Sequence, residues 1–255
     1  MLITWQVEDR DVNAVREVLE ANGENPFVVG RIGDNVTGAV PAFSRDELWR
    51  VMLGCLLTTQ QRSGPDSRVT QFLGRRPFRP ALADCTAVNA EVVVAQAISE
   101  FGGLRRGPTV ASHAATNLAR LEADGWLRLE ERFQALLPSR SRQSRAGDVA
   151  EERQAAIFVD NALKGFGPKQ SRNLWQWLGL TRFEIPLDSR VTNWLNQNQI
   201  FPFTLSARAL DDENYYAFVM DGLRMVCDAA GVLPCVFDAA VFSLGQTWRA
   251  DQLEY

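Results

Sequence analysis

Hydrophobic residues recur at helical spacing along most of the chain, and polar stretches separate these patterns. Ser44 and Glu47 have the spacing of a capping box, which indicates a helix N-terminus. The apolar positions that follow have the period of an amphipathic helix: Leu48, Val51, Met52, Cys55 and Leu56. Similar patterns predict helices at about 11–19, 66–73, 90–101, 109–122, 127–137 and 216–227. Residues 27–32 instead have the pattern of a short strand or extended segment, so a nearly all-α fold is expected.

The clearest turn in the chain is the segment 163–169, with the sequence LKGFGPK. Apolar residues at helical spacing flank it: Ala156, Val159 and Leu163 before it, and Leu174, Trp177 and Leu178 after it. Gly165 and Gly167 permit backbone angles that other residues resist, and Pro168 suits the first position of a helix. We therefore predict a helix, a tight hairpin and a second helix across about 152–179. Such a turn exposes backbone N–H groups that suit a phosphate, although most such glycines only cap helices.

The same segment holds every lysine of the protein. Lysine and arginine total 27, and only Lys164 and Lys169 are lysine. Arginine stays protonated, whereas a lysine amine can lose its proton and attack a carbon atom. Lys169 falls in the first turn of the second predicted helix, where the helix dipole, the Lys164 charge and partial burial are each expected to lower its pKa. The pattern favours a nucleophilic amine; the alternative is that biased composition left two lysines here by chance.

An aspartate follows at a fixed distance. Asp188 lies nineteen positions after Lys169 and precedes an apolar helical pattern that begins at Val191. An aspartate in that place is expected to cap the helix N-terminus. A capping aspartate that also faces a cleft is a carboxylate whose position the helix fixes, so the two roles are compatible.

Residues 151–195 resemble the helix-hairpin-helix DNA glycosylase superfamily, whose signature is a hairpin, a glycine- and proline-rich loop and a downstream aspartate. The pattern G-x-G-x-K, with an aspartate nineteen positions later, is most similar to 8-oxoguanine glycosylases with abasic-site lyase activity, and more distantly to endonuclease III. The resemblance implies that Lys169 is the Schiff-base lysine and Asp188 the catalytic aspartate. It also implies DNA contacts by the hairpin residues Lys164, Gly165, Phe166 and Gly167.

The resemblance extends to further DNA and base contacts. The first core helix ends in a polar turn, where Gln60 and Gln61 fill the gap left by a flipped base or are simply a polar helix end. Many relatives have histidine two positions after the aspartate; this chain has Arg190, which is expected to contact DNA. Asp238 and Phe242 have the spacing of an aspartate and a tryptophan that contact the base in archaeal 8-oxoguanine glycosylases. Alternatively, Phe242 is a core residue and Asp238 caps a helix.

The implied architecture is two helical lobes with the active site in a cleft between them. One lobe comprises 44–180 and includes the hairpin; the other comprises 1–43 with 181–255 and carries the catalytic aspartate. Three arginine clusters are candidates for a basic face: Arg75, Arg76 and Arg79; Arg105 and Arg106; Arg140, Arg142 and Arg145. The last cluster lies in a predicted linker, 139–147.

Composition limits the alternatives. A net charge of −4 and a pI near 5.2 argue mildly against unspecific nucleic-acid binding. The four cysteines include no C-x-x-C pair and there is one histidine, so neither zinc nor an iron–sulfur cluster is expected, although the hairpin could hold a monovalent or divalent cation. Without an apolar run of membrane-span length or a signal peptide, the protein is expected to be a cytoplasmic monomer.

The expected function is removal of a damaged or modified base, foremost 8-oxoguanine, from double-stranded DNA by base flipping and a lysine Schiff base. Oxidised pyrimidines and modified phage bases are alternative substrates. Two other classes of function remain open: a non-catalytic helix-hairpin-helix DNA-binding protein, and a small-molecule enzyme with a Schiff-base lysine. The pair Lys169 and Asp188 opposes the first, because phosphate binding needs neither residue. The second predicts no affinity for DNA.

Overall fold

The computed structural model describes residues 5–61, 63–140 and 146–246. Within these ranges the chain forms helices and no β-strand, which confirms the predicted all-α class. The helices are α1 Asp9–Asn22, α2 Pro26–Ile32, α3 Arg45–Leu57, α4 Arg68–Leu73, α5 Leu82–Ala87, α6 Ala90–Phe101, α7 Gly107–Arg120, α8 Trp126–Arg140, α9 Ala146–Ala162, α10 Pro168–Trp177, α11 Ser189–Gln197, α12 Glu213–Ala230 and α13 Pro234–Ser243. Short π-helical turns follow α2 and α7, at Gly33–Thr37 and Leu121–Gly125.

The buried hydrophobic side chains form two clusters. The first core draws on residues between 48 and 180, and Trp49, Phe133 and Trp175 are among its largest members. The second core combines residues 15–28 with residues 185–241, and it is built around Tyr216 and Phe237. A segment from the start of the chain therefore packs with its last described helices, because each apolar face is too small to be buried alone.

The extended conformation expected for residues 27–32 is wrong. Those residues form α2, because Asn25 Oδ1 accepts the backbone N–H of Phe27 at 3.0 Å and Pro26 occupies the first helical position. Val28 is fully buried in the second core. A short apolar run fits either type of element, and here the cap and the packing decide for the helix.

Other boundaries agree with the patterns more closely. Ser44 caps α3 by accepting the backbone N–H of Glu47 at 3.3 Å, but the Glu47 carboxylate pairs with Arg50. Helix α5 was not predicted, and α8 continues through Arg140 into the expected linker. The central part of that linker, 141–145, with Arg142 and Arg145, lies outside the described residues.

No single helix in the described part of the chain is long and apolar enough to cross a membrane. Helices α12 and α13 pass the test only as a pair, with a bend of 92° between them. Both contribute their apolar side chains to the second core.

Buried ion pairs join the hairpin helices to the second core. Arg172 of α10 and Glu184 are fully buried, and Arg172 Nε lies 2.7 Å from Glu184 Oε2. Arg172 also reaches Glu213, at the start of α12, at 2.7 Å. Arg153 of α9 contacts Glu184 at 2.9 Å and Asp221 of α12 at 2.5 Å. A charged side chain that is buried this completely destabilises the fold unless it is paired. The ion-pair network therefore fixes how α10 lies against the second core.

Buried side chains also hold the backbone at this junction. Glu152 accepts the backbone N–H groups of residues 182–184 at 2.9, 2.7 and 2.8 Å. From the other side, Asn35 donates to the carbonyl oxygens of Gln176 and Thr181 at 3.0 and 2.9 Å. These bonds set the end of α10 and the segment that leads to Asp188.

Candidate active site

The hairpin forms where the sequence predicts it. Helix α9 ends at Ala162, Gly165 has a φ of +84°, and α10 begins with Pro168. A Cβ atom on Gly165 would lie 2.2 Å from His113 Nδ1, so only glycine fits this turn. Asn117 fixes the turn from below: its side chain accepts the Lys164 N–H at 2.6 Å and donates to the Lys164 carbonyl at 3.0 Å.

Lys169 is the second residue of α10 and lines a cavity of about 790 Å³. The side chain is partly buried. Burial lowers its pKa and the Arg190 charge adds to that effect, while Asp188, Cys55 and Asp238 oppose it. The cation that assists is therefore Arg190 and not the exposed Lys164, whose charge lowers the pKa of His113 instead.

Asp188 both caps a helix and faces the cavity. Its Oδ1 accepts the backbone N–H groups of Arg190 and Val191 at 2.8 and 3.0 Å, so it is the N-cap of α11. Its carboxylate also lines the cavity that Lys169 enters. The nineteen residues between them contain the end of α10 and the Glu184 junction, which bring the two side chains to one site.

A second carboxylate lines the same cavity. Asp238 is the fifth residue of α13 and is buried, so the alternative that it caps a helix is wrong; the N-cap position belongs to Leu233. Burial, helped by the charge of Asp188, raises its pKa to about 7, although Arg31, Gln176 and Lys169 act in the opposite direction. Arg31 comes from α2, the helix that local pattern did not reveal.

Phe242 lines the cavity one turn after Asp238 and is only partly buried. Its ring stacks on Phe27 at 4.8 Å between centroids, and the Arg190 guanidinium carbon lies 4.0 Å from its centroid. Arg190 Nη1 is also 3.8 Å from Asp188 Oδ2. Phe242 thus contacts the Arg190 side chain that lies beside Asp188, in addition to packing on α2.

Three solved structures superimpose on nearly the whole chain. The 8-oxoguanine DNA glycosylase of Thermotoga maritima gives a TM-score of 0.58 at 15% identity, over 92% of this chain and 95% of its own. The Methanocaldococcus jannaschii 8-oxoguanine glycosylase/lyase, in complex with a 15mer DNA containing 8-oxoguanine, gives 0.60 at 13% identity over 92% and 96%. The M. jannaschii 8-oxoguanine DNA glycosylase gives 0.61 at 14% over 93% and 95%.

The chain has the fold of these 8-oxoguanine DNA glycosylases. No family model matches the sequence, and no curated protein is significantly similar to it. The likeness therefore lies in the helical architecture and in its helix-hairpin-helix, which confirms the fold expected from residues 151–195.

Sequence reasoning missed several side chains that line the cavity. Asn173 and Gln176 follow Lys169 by four and seven positions on α10, so helical periodicity alone could have placed them on the same face. Thr58 lies at the end of α3, within 3.3 Å of Gln170. No pattern in the sequence indicated that Arg31 lines the cavity, because its position depends on packing between the two ends of the chain.

The glutamines after α3 lie away from the cavity lining. Gln60 is exposed and has a φ of +60°. Gln61 bonds the Leu57 carbonyl through Nε2, and its Oε1 accepts the Arg105 N–H at 3.0 Å. Gln61 therefore ties the turn to the loop before α7, whereas Gln60 projects outward on the same side.

In the described ranges, no group of three or more histidine, cysteine, aspartate or glutamate side chains is placed to hold a metal ion. The four cysteines are buried and not in disulfides, and burial raises the pKa of Cys55, the one nearest Lys169, to about 12. Around Lys169 the cavity offers an amine of lowered pKa and the carboxylates of Asp188 and Asp238, with the Arg190 guanidinium beside Asp188.

Proposed function

We propose that this protein is a DNA glycosylase with abasic-site lyase activity that removes a damaged base, 8-oxoguanine, from double-stranded DNA. One observation carries the proposal: Lys169 on the hairpin helix and Asp188 on the α11 cap line one cavity, in the fold of 8-oxoguanine glycosylases. Neither residue is needed for binding alone, whereas a nucleophilic amine beside a fixed carboxylate suits cleavage of a glycosidic bond.

DNA binding falls to the hairpin side of the molecule. The backbone amides of Gly165, Phe166 and Gly167 bind a phosphate beside the α10 N-terminus, with Lys164 exposed next to them. The turn with Gln60 and Gln61 enters the gap left by the flipped base. We propose that the two cores are the two lobes, 44–180 and 1–43 with 181–255. A hairpin-bound cation, a monomeric state and a cytoplasmic location belong to the same proposal.

The reaction begins with rotation of the damaged nucleotide into the cavity. The Lys169 amine attacks C1′, and the bond from C1′ to the base nitrogen breaks with its electron pair on the base, which then takes up a proton. Asp188 stabilises the positive charge that develops on the sugar. Opening of the sugar ring gives the Schiff base, and β-elimination of the 3′ phosphate nicks the strand.

A modified base other than 8-oxoguanine is the second candidate substrate. The cavity of about 790 Å³ falls in the range of pockets for ligands larger than a single base. Its lining includes the polar side chains of Asn173, Gln176 and Asp238, which suit a base with several donor and acceptor groups.

Borohydride trapping tests the proposal. Duplexes that carry 8-oxoguanine, thymine glycol, an abasic site or undamaged bases are incubated with the wild-type protein and with Lys169→Gln. A covalent band on 8-oxoguanine DNA that Lys169→Gln loses is the expected result. A band on another lesion alone would reassign the substrate.

The remaining outcomes separate the other classes of function. Duplex binding without a band on any DNA would contradict the nucleophile and favour a binding module. Absence of salt-dependent duplex affinity would favour a small-molecule enzyme instead.

A further inference from the structure

A lysine that attacks C1′ must first lose a proton, and the site has to hold a group that accepts it. Three side chains that can carry a negative charge act electrostatically on Lys169: Asp188, Cys55 and Asp238. Asp34 and Glu47 also line the cavity, but neither is among the groups that act on Lys169, and the Glu47 carboxylate is paired with Arg50. The choice is therefore among three side chains.

Two of the three are poor acceptors. The Cys55 thiol is fully buried, and its pKa of about 12 keeps it neutral at physiological pH. Asp188 has Oδ1 committed to the backbone N–H groups of Arg190 and Val191, and its Oδ2 lies 3.8 Å from a guanidinium. Both oxygens of Asp188 therefore already face donors, and a carboxylate fixed in this way suits stabilisation of a cationic sugar.

The surroundings of Asp238 differ from those of Asp188. It is buried in the middle of α13, where no helix terminus supplies backbone donors, and it lines the same cavity as Lys169. Burial gives it a pKa of about 7, which matches the pH at which the enzyme has to exchange a proton. Two carboxylates in one site with different environments commonly divide the acid–base work between them.

We propose that Asp238 accepts the proton that Lys169 loses, so that Asp188 is left to stabilise charge; this inference rests on the proposed function. In that step the Nζ–H bond of Lys169 breaks and an O–H bond forms on Asp238. The freed electron pair of the amine attacks C1′, and the proton on Asp238 is available to the departing base or to water. No other reactant is needed.

The charged and polar groups that act on Asp238 come from α2, α10 and the start of α11. Arg31 of α2 and Lys169 of α10 favour its ionised form, as does the Gln176 amide; Asp188 at the start of α11 disfavours it. On α13 itself, Cys235 is a neutral buried thiol with a pKa of about 12. The lysine and the carboxylate titrate as a pair, so the apparent pKa belongs to both.

An abasic site distinguishes this role from base recognition, because it contains no base to recognise. Borohydride trapping rates are measured against pH on duplexes with an abasic site and on duplexes with intact 8-oxoguanine. Wild type is expected to gain rate through a pH near the Asp238 pKa of about 7. Asp238→Asn is expected to trap the abasic site about 10²-fold more slowly at neutral pH and to recover at alkaline pH, where Lys169 loses its proton to water.

Controls keep the test independent of folding. Asp238→Glu retains a carboxylate and is expected to restore the pH dependence in part, whereas Asp228→Asn makes the same charge change on an exposed site of α12 and is expected to match wild type. If Asp238→Asn traps the abasic site as wild type does at every pH and loses only release of 8-oxoguanine, Asp238 contacts the base and the inference is wrong. A uniform loss with an unchanged profile also overturns it. A wild-type protein that traps nothing would overturn the proposed function itself.

Discussion

The cavity wall that carries Lys169 and the wall that carries the two aspartates are built differently. Lys169 is carried by one continuous piece of chain, the end of α9, the hairpin and α10, whose form follows from Gly165 and Pro168; of these elements α10 lines the cavity. The aspartate wall is assembled from α2, the α11 cap and α13, which lie far apart in the sequence. Local backbone chemistry therefore sets the position of Lys169, whereas packing sets the charged groups around it.

The two walls also differ in how polar groups are stabilised. Lys169 lies at a helix N-terminus, where the dipole and burial both favour the neutral amine. Asp188 is held by backbone donors, and Asp238 by none from a helix end. Between the walls, the Arg172–Glu184 pair keeps α10 in register with the second core. Two aspartates in one cavity thus have different hydrogen-bonding surroundings, and the proposed division of roles between them rests on that difference.

The largest effect on activity is expected from replacing Lys169. Lys169→Gln is expected to abolish borohydride trapping and to reduce strand nicking by at least about 10³-fold, because no other amine faces Asp188 among the described residues. Lys164→Gln is the matched control, since it removes the chain's other lysine, which is exposed on the hairpin. That control is expected to keep trapping and to weaken duplex binding at low salt. A covalent band that persists in Lys169→Gln would contradict the assignment.

The second-largest effect is expected at the Arg172–Glu184 ion pair, which joins the two walls. Arg172→Leu removes the fully buried partner of Glu184, which keeps only Arg153, and also the pair with Glu213, and the free energy of unfolding is expected to fall by about 3–5 kcal/mol. Arg128→Leu is the control, because its pair with Asp124 is exposed, and a change below about 1 kcal/mol is expected. Denaturant unfolding measures both. An Arg172→Leu protein as stable as wild type would show that apolar packing alone aligns the walls.

The two functions of Asp188 can be separated by two substitutions. Asparagine caps helices as well as aspartate does, so Asp188→Asn is expected to keep the stability of α11, whereas Asp188→Ala loses about 1 kcal/mol. Both remove the charge and are expected to slow base release by about 10²–10³-fold. Single-turnover kinetics and thermal unfolding give the two quantities. Activity that follows stability across the pair would argue against an electrostatic role.

The pH dependence of stability tests the burial of Asp238. Its folded-state pKa of about 7 lies above the ordinary aspartate value of 3.8, so the folded state binds the proton more tightly. Stability contributed by the protonated form is therefore lost as pH rises from about 4 to about 7. Asp238→Asn cannot ionise, and its free energy of unfolding is expected to fall less over that range. Parallel curves for the two proteins would mean that Asp238 is not buried as described.

The smallest effects are expected outside both walls, at the turn after α3. Gln60→Ala changes an exposed side chain and is expected to alter stability by less than about 0.5 kcal/mol. Gln61→Ala removes bonds to Leu57 and Arg105 and is expected to cost about 1 kcal/mol. Urea titration measures these values. Because the proposed function places this turn in the gap left by the flipped base, both substitutions are expected to weaken lesion binding, and unchanged binding would contradict that placement.

The chain's own pattern determined the features that depend on neighbouring residues. Helical periodicity placed most helices, glycine and proline placed the hairpin, and the position of Asp188 before an apolar pattern identified the α11 cap. The place of Lys169 in a first helical turn was also predicted, whereas its role as a nucleophile stays a proposal that rests on the rarity of lysine and on that position. Each of these inferences needs only a few adjacent positions, which is why sequence is sufficient for them.

Tertiary structure alone decided what faces the nucleophile. Residues 27–32 became a helix because Asn25 caps them and the second core buries Val28. That helix brings Arg31 to Asp238, and the burial of Asp238 within α13 gives this aspartate a pKa unlike that of a surface carboxylate. Burial and long-range charge depend on segments that meet only after folding, so no local pattern in the sequence encodes them.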